Sequence, residues 1–260
     1  MQWFFKEDKT PPVFTARQHA ESKHITTGVS PLPKHGVAFC LGRGLPVLQE
    51  RFKTRLIMEA LPGFIAHGPA YTVEGHEDVC FFDGGRGAPQ AGCYVETVHA
   101  LGVEELLVVG LCGAFGEDVN VCDVLLPERL LIEEGTSHHY SFGQECAVPQ
   151  SPWPGDYTAD FLTERGFTVK HRDTVTADAP YRQTYYKETL WRDKGFSGVD
   201  MESSAIVSVC NYFGMRCAVA LMASDKHPLS QESPPWAWGD LDFRSRQADF
   251  IEACVEMAIG

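Results

Sequence analysis

Three times along this 260-residue chain an apolar run breaks off in glycine: "GVAFCLGRG" from Gly36, "DVCFFDGGRG" from Asp78 and "ELLVVGLCGAFG" from Glu105. An apolar run with no polar alternation fits a strand buried on both faces. Helical patterns follow the first two runs, in "LPVLQERFKTRL" and in the stretch from Ala88 through "CYVETVHALG". Strands alternating with helices predict a mainly parallel sheet covered on both sides. The expected fold is therefore α/β, a single domain over 36–260 with a central mixed, mostly parallel sheet flanked by helices. A polar, proline-punctuated arm over 1–35 precedes it.

The rest of the chain fits that plan. Residues 158–166 and "YRQTYYKETLWRDKG" read as helices, "FTVKHRDTVTAD" as strand, and "SFGQECAVPQSPWPGD" as a long loop. "MRCAVALMASD" is a further apolar strand ending at Ser224 and Asp225, and Ser245–Ile259 reads as a closing helix. Glycines or polar residues stand at the ends of several strands, where ligands of open α/β sheets gather.

One residue breaks the pattern. In "GVDMESSAIVSVCNYFGM", Met201, Ala205, Ile206, Val209, Cys210 and Phe213 fall on one half of a helix stopped by Gly214, and Glu202 lies in the middle of that half. A carboxylate carried into a core costs several kcal/mol unless hydrogen bonds, charges or a ligand satisfy it.

Composition narrows the class of partner. A net charge of −13 argues against nucleic acid or anionic membranes as partners, while leaving a small anion possible. Nine scattered cysteines without a C-x-x-C pair read as reduced thiols. No run approaches the ~20 apolar residues of a membrane span. The N-terminus shows no leader-like segment, so a cytoplasmic protein is expected.

Four separated pieces resemble one family. They are "GGRGAPQA", "LLVVGLCGAFGEDVNVCDVLLPE" with "EEGTSHHY" behind it, "TADAPYRQT", and "GVDMESSAIVSVCNYFGMRCAVALMASD". Together they are similar to the nucleoside phosphorylase and nucleosidase superfamily, which includes purine nucleoside phosphorylase, uridine phosphorylase and methylthioadenosine nucleosidase. The resemblance implies that Glu202 hydrogen-bonds ribose hydroxyls and that Asp225 protonates, or hydrogen-bonds to, N7 of a departing purine. Uridine-specific relatives lack that aspartate, so purines are favoured. It also assigns Met201, Ser224, Gly113, Tyr181, Arg182 and His24 to substrate binding. Tyr181 would stack on the base or pack as a core tyrosine, and His24 would reach a neighbouring subunit's site or stay a surface histidine. His138, His139 and Tyr140 fall near the site by the same analogy, without metal-ligand spacing.

The phosphate side departs from the family pattern. Where phosphate-using relatives place two arginines, this chain has Pro46 and Val108. Arg43 and Arg86, with Gly42 and Gly110, would form a relocated phosphate site, or the two arginines would be ordinary surface residues. Three readings stay open: a phosphorylase with phosphate as co-substrate, which leads; a nucleosidase using water; and a non-catalytic nucleoside or nucleotide sensor. The resemblance further implies no metal or other cofactor and a homo-oligomer built from dimers, up to a hexamer.

Overall fold

The computed structural model describes residues 5, 7–22, 28–64 and 68–260. Among them, thirteen strands form one sheet. They are β1 (His35–Cys40), β2 (Thr54–Met58), β3 (Ala70–Val73), β4 (His76–Asp83), β5 (Glu105–Ala114), β6 (Val124–Leu125) and β7 (Leu130–Glu133). The remainder are β8 (Cys146–Ala147), β9 (Val169–Lys170), β10 (Asp173–Ala177), β11 (Phe196–Asp200), β12 (Arg216–Lys226) and β13 (Ala237–Trp238). The α-helices are α1 (Ala16–Ala20), α2 (Gly44–Arg51), α3 (Ala88–Ala100), α4 (His138–Ser141), α5 (Tyr157–Glu164), α6 (Tyr185–Asp193), α7 (Ser203–Phe213) and α8 (Leu241–Ile259).

The third glycine-broken run becomes β5, the strand on which the sheet is built. Over its first half β5 has parallel neighbours on both sides, β1 from His35↔Glu105 to Cys40↔Gly110 and β12 from Arg216↔Glu105 onward. β1 then ends, and β11 takes its side of β5, antiparallel at Val199↔Gly113 and Gly198↔Ala114. Gly110 and Gly113 therefore lie inside the ladder, where the sequence pattern placed a strand followed by a glycine loop. The main path runs β2-β3-β4-β1-β5-β11-β10-β7-β8.

Side-chain alternation along β5 explains its continuous hydrophobicity. Leu106 and Val108 pack with Val95, Val98, Ile206 and Val209 of α3 and α7, while Leu107 and Val109 pack with Val47, Leu48, Phe250 and Ile251 of α2 and α8. The expected α/β architecture, covered on both faces, is the observed one. α7 is more enclosed than a half-apolar helix, with every residue from Ser203 to Cys210 buried. Nine free cysteines and no disulfide are found. Among the described residues no helix is long and apolar enough to cross a membrane.

Several boundaries differ from the sequence reading: the expected long loop after Ser141 contains β8, paired with β7, and α6 starts at Tyr185 rather than at Tyr181. The helix after β1 stops at Arg51, and Thr54–Met58 instead forms an outer strand against β3. The closing helix begins at Leu241, ahead of the expected Ser245, because the Asp240 side chain accepts hydrogen bonds from the backbone N–H groups of Asp242 (3.0 Å) and Phe243 (3.3 Å). Such a cap satisfies donors that a helix start leaves unpaired. Asp240→Ala is expected to lower stability by about 0.5–2 kcal/mol, read as a lower denaturation midpoint at unchanged m-value.

Candidate active site

The exchange of β1 for β11 beside β5 opens the sheet at the carboxyl ends of its parallel strands, and two groups of buried carboxylates stand there. The first gathers where β11 hands over to α7. Glu202 occupies the cap position of α7, 7% exposed. Its Oε1 accepts a hydrogen bond of 2.6 Å from the N–H of Gly87. Gly87 ends the glycine loop after β4 with φ at 79°, a backbone angle that a residue with a side chain adopts at a cost. That loop is fastened to β1, since the Gly84 N–H donates to the Phe39 carbonyl at 3.0 Å.

Behind Glu202 lies Asp200. Its Oδ1 accepts from the Thr176 hydroxyl (2.7 Å) and its Oδ2 from the Ser203 N–H (2.8 Å). Deeper still, Glu134 accepts from the Thr136 N–H (2.6 Å) and the Ser204 hydroxyl (2.9 Å). Burial pushes Asp200 above the ordinary carboxylate range. Burial first, then the Asp200 charge, push Glu202 up to about 7, against the Gly87 N–H and the nearby Arg86 guanidinium. Neither Asp200 nor Glu134 was singled out from sequence, although Asp200 sits at the end of an apolar strand two residues before Glu202.

The second group stands on the other side of β5. β12 carries a bulge at Ser224, because Ala223 pairs with Cys112 and Asp225 with the very next residue, Gly113. A bulge re-aims the side chains beyond it. Asp225 is 5% exposed and fully engaged. Its Oδ1 accepts from the Ser224 hydroxyl (2.6 Å), and its Oδ2 accepts from the Trp236 indole N–H (2.6 Å) and lies 3.2 Å from His227 Nε2. His227 Nδ1 is in turn 2.7 Å from Glu188 Oε1. Burial alone would raise Asp225, but the bonds from His227, Ser224 and Trp236 outweigh it and hold the carboxyl below its ordinary value. Burial would lower His227, yet its two carboxylate partners raise it to about 9.

Both groups face the same stretch of β5. Burial first, then the charges of Asp200 and Asp225, push the Cys112 thiol well above its usual value. Gly113 is the close-packing point: a Cβ there would lie 2.4 Å from His227 Nε2.

The expected site residues distribute unevenly around this cleft. Arg86 lies beside Glu202, its guanidinium bonded to Asp83 Oδ1 (3.1 Å) and to the Gly85 carbonyl (2.6 Å). Arg43, just after exposed Gly42, instead points its guanidinium to the Arg244 carbonyl of α8 at 2.8 Å. Gly110 is buried in the ladder opposite Cys40. Met201 is half-buried, and Ser224 is buried with its hydroxyl 3.2 Å from the Cys112 carbonyl. Tyr181 and Arg182 lie exposed in the turn Pro180–Arg182 beyond β10. Tyr181 is 97% exposed, so it is not a core tyrosine. His24 lies outside the described residues. Tyr140 donates its hydroxyl to Glu96. A cavity of about 280 Å³ lined by His35, Glu105, Trp153 and Met257 lies at the opposite, amino-terminal ends of β1 and β5, away from these groups. Among the described residues no group of three or more His, Cys, Asp and Glu is arranged to hold a metal ion.

A family model described as the phosphorylase superfamily matches residues 46–259. The chain belongs to the phosphorylase superfamily, as its motifs imply. It is 32% identical over 180 residues to a DeoD-type purine nucleoside phosphorylase from Geobacillus sp. (strain WCH70), covering 67% of this chain and 72% of that protein. With a guanosine phosphorylase from Halorubrum lacusprofundi it shares 30% identity over 189 residues, 70% of this chain and 74% of the relative. Among solved structures, the crystal structure of purine nucleoside phosphorylase from Toxoplasma gondii in complex with immucillin-H superposes with a TM-score of 0.73 at 16% identity, covering 87% of this chain and 90% of that one.

The Glu202 carboxyl is expected to titrate near 7. Asp200→Asn, by removing the neighbouring negative charge, should lower that midpoint toward the ordinary value of about 4.3. Carboxyl-carbon NMR from the acid through the mildly alkaline range measures both, and an unmoved midpoint in the variant would show that burial alone sets it.

Proposed function

We propose that this protein cleaves the N-glycosidic bond of a purine nucleoside by phosphorolysis, giving free base and ribose 1-phosphate. Its family and relatives make it a nucleoside phosphorylase-type enzyme; the substrate, the acceptor and the residue roles are this proposal. The observation that carries it is the pairing of two unlike carboxylates around one strand end. Glu202 is buried but oriented by the Gly87 N–H, and Asp225 is held ionised by three donors.

Ionised Glu202 accepts hydrogen bonds from the ribose hydroxyls and opposes the positive charge that grows on the sugar as the bond breaks. Asp225 faces N7, where the departing purine gathers electron density. Met201, Ser224 and Gly113 line the nucleoside between them, with Tyr181 and Arg182 on the turn after β10. Arg86 offers its N–H donors to phosphate, with the exposed backbone at Gly42; Gly110, paired to β1 and β12 within the ladder, takes no part in that site. The homo-oligomer built from dimers and the cytoplasmic location belong to the same reading.

A second reading, hydrolysis by water, is favoured by one feature. The Arg43 guanidinium is committed to the Arg244 carbonyl and that of Arg86 to Asp83, so a paired guanidinium fork for phosphate is not assembled. Base release from a panel of nucleosides, with and without phosphate and with the sugar product identified, separates the two. Phosphorolysis predicts phosphate-dependent formation of ribose 1-phosphate. It also predicts that Arg86→Ala raises the phosphate requirement roughly ten- to a hundred-fold, the equivalent of a charge-assisted bond of about 1.5–3 kcal/mol. Phosphate-independent release of free ribose would overturn it.

A further inference from the structure

The imidazole of His227 is wedged into a continuous chain of charge that the assignments above do not use. Its Nε2 lies 3.2 Å from Asp225 Oδ2, its Nδ1 lies 2.7 Å from Glu188 Oε1, and Arg192 approaches Glu188 Oε2 at 3.9 Å. Both the His227 and Glu188 side chains are largely buried, at 14% and 8% exposure. The ring fits only because residue 113 on β5 has no side chain. A histidine between two buried carboxylates donates from both nitrogens, which requires the imidazolium. Burial opposes that charge, but the bonds to Asp225 and Glu188 prevail and lift the imidazole to about 9, while Asp225 is held low. At neutral pH the proton of this pair therefore sits on the ring, and Asp225 alone has none to give.

We propose that His227 is a positioning residue for base release, holding on Nε2 the proton that Asp225 hands to N7 of the departing purine. The inference rests on the purine-cleaving reading given above. The Nε2–H bond breaks and its electron pair stays on the imidazole, which becomes neutral. Asp225 takes the proton and passes it on, ending ionised as it began. A new N–H bond forms at N7 as the glycosidic electron pair moves into the base, which leaves neutral, and water recharges the imidazole afterwards. Three donors crowd Asp225, and one must give way to the base. Ser224 is buried and the His227 side chain is only 14% exposed, whereas Trp236 is 46% exposed, so Trp236 is the donor that the purine replaces.

The groups that face His227 are Asp225 on β12, Glu188 and Arg192 on α6, and the Trp236 indole through its shared acceptor. The neighbouring Lys226 ammonium is turned to the carbonyls of Gly116, Glu117 and Val119.

The test uses the 260-residue chain and a purine nucleoside that it cleaves. The kcat/KM profile should fall at high pH with a midpoint near 9. In Glu188→Gln the loss of one carboxylate should move that limb to lower pH, whereas a limb belonging to the substrate would stay in place. His227→Gln should abolish the limb and slow the purine nucleoside by about 100-fold, yet slow 7-methylguanosine, whose base leaves without a proton at N7, far less. In the unmodified protein the His227 ring proton should titrate near 9 by NMR, a readout that needs no variant to fold. A ring titrating near the ordinary value of about 6.5, an unmoved limb in Glu188→Gln, or equal losses on both substrates would overturn the proposal while purine cleavage stands. Failure of the unmodified protein to cleave any purine nucleoside would overturn both.

Discussion

β5 cannot keep the same neighbours along its whole length, and the site follows from that constraint. Its lower half is held between two parallel strands. Its upper half loses β1 and gains β11, which runs the opposite way. Two strand ends and a helix start then converge where backbone pairing changes partner, and loops fill the break. The glycine loop after β4 closes over it from one side, and the bulged end of β12 from the other. Hydrophobic packing below the break supplies rigidity, so the polar groups above it can be held at hydrogen-bond distance without a dedicated scaffold.

The two carboxylates at the break are tuned in opposite directions. Glu202 is raised by burial and by a second acid behind it, with one backbone N–H as its fixed partner. Asp225, almost equally buried, is lowered because donors surround it. Burial does not separate them. The difference comes from what each strand end brings alongside: an aspartate two residues earlier for Glu202, and a histidine two residues later for Asp225.

Much of this was legible in the sequence, and the parts that were not share a cause. The alternation of buried strands and helices, the β5 run, and the prominence of Glu202 and Asp225 all follow from local patterns and compound motifs. Asp200, Glu134, Glu188 and His227 did not stand out, because each is also fixed by a partner distant along the chain, Thr176 for Asp200, Ser204 for Glu134, and Glu188 and His227 for one another; Trp236 meets Asp225 only because β13 folds back on β12. Glu188 sits between Lys187 and Thr189 on α6 and reads as a solvated charge until His227 reaches it. The tight positions Gly110 and Gly113 were visible as glycines, but their place inside the ladder was not, since a strand that tolerates glycine depends on neighbours that local pattern does not reveal. Arg43 and Arg86 look equivalent in sequence, and only packing shows that one turns to the closing helix while the other stays beside Glu202.

The bulge at Ser224 divides β12 into two segments that answer to different demands. From Cys217 to Ala223 the strand alternates between the two cores, and its side chains are interchangeable with other apolar residues of similar volume. From Asp225 onward orientation is reset by the extra residue, so drift in the apolar half does not rotate the acid. The reverse does not hold. A one-residue deletion at the bulge would restore regular alternation and turn Asp225 toward the wrong face while leaving most of the core intact, giving a folded protein whose chemistry is lost. In this chain a length change of one residue at the end of β12 is a sharper functional boundary than many substitutions within it.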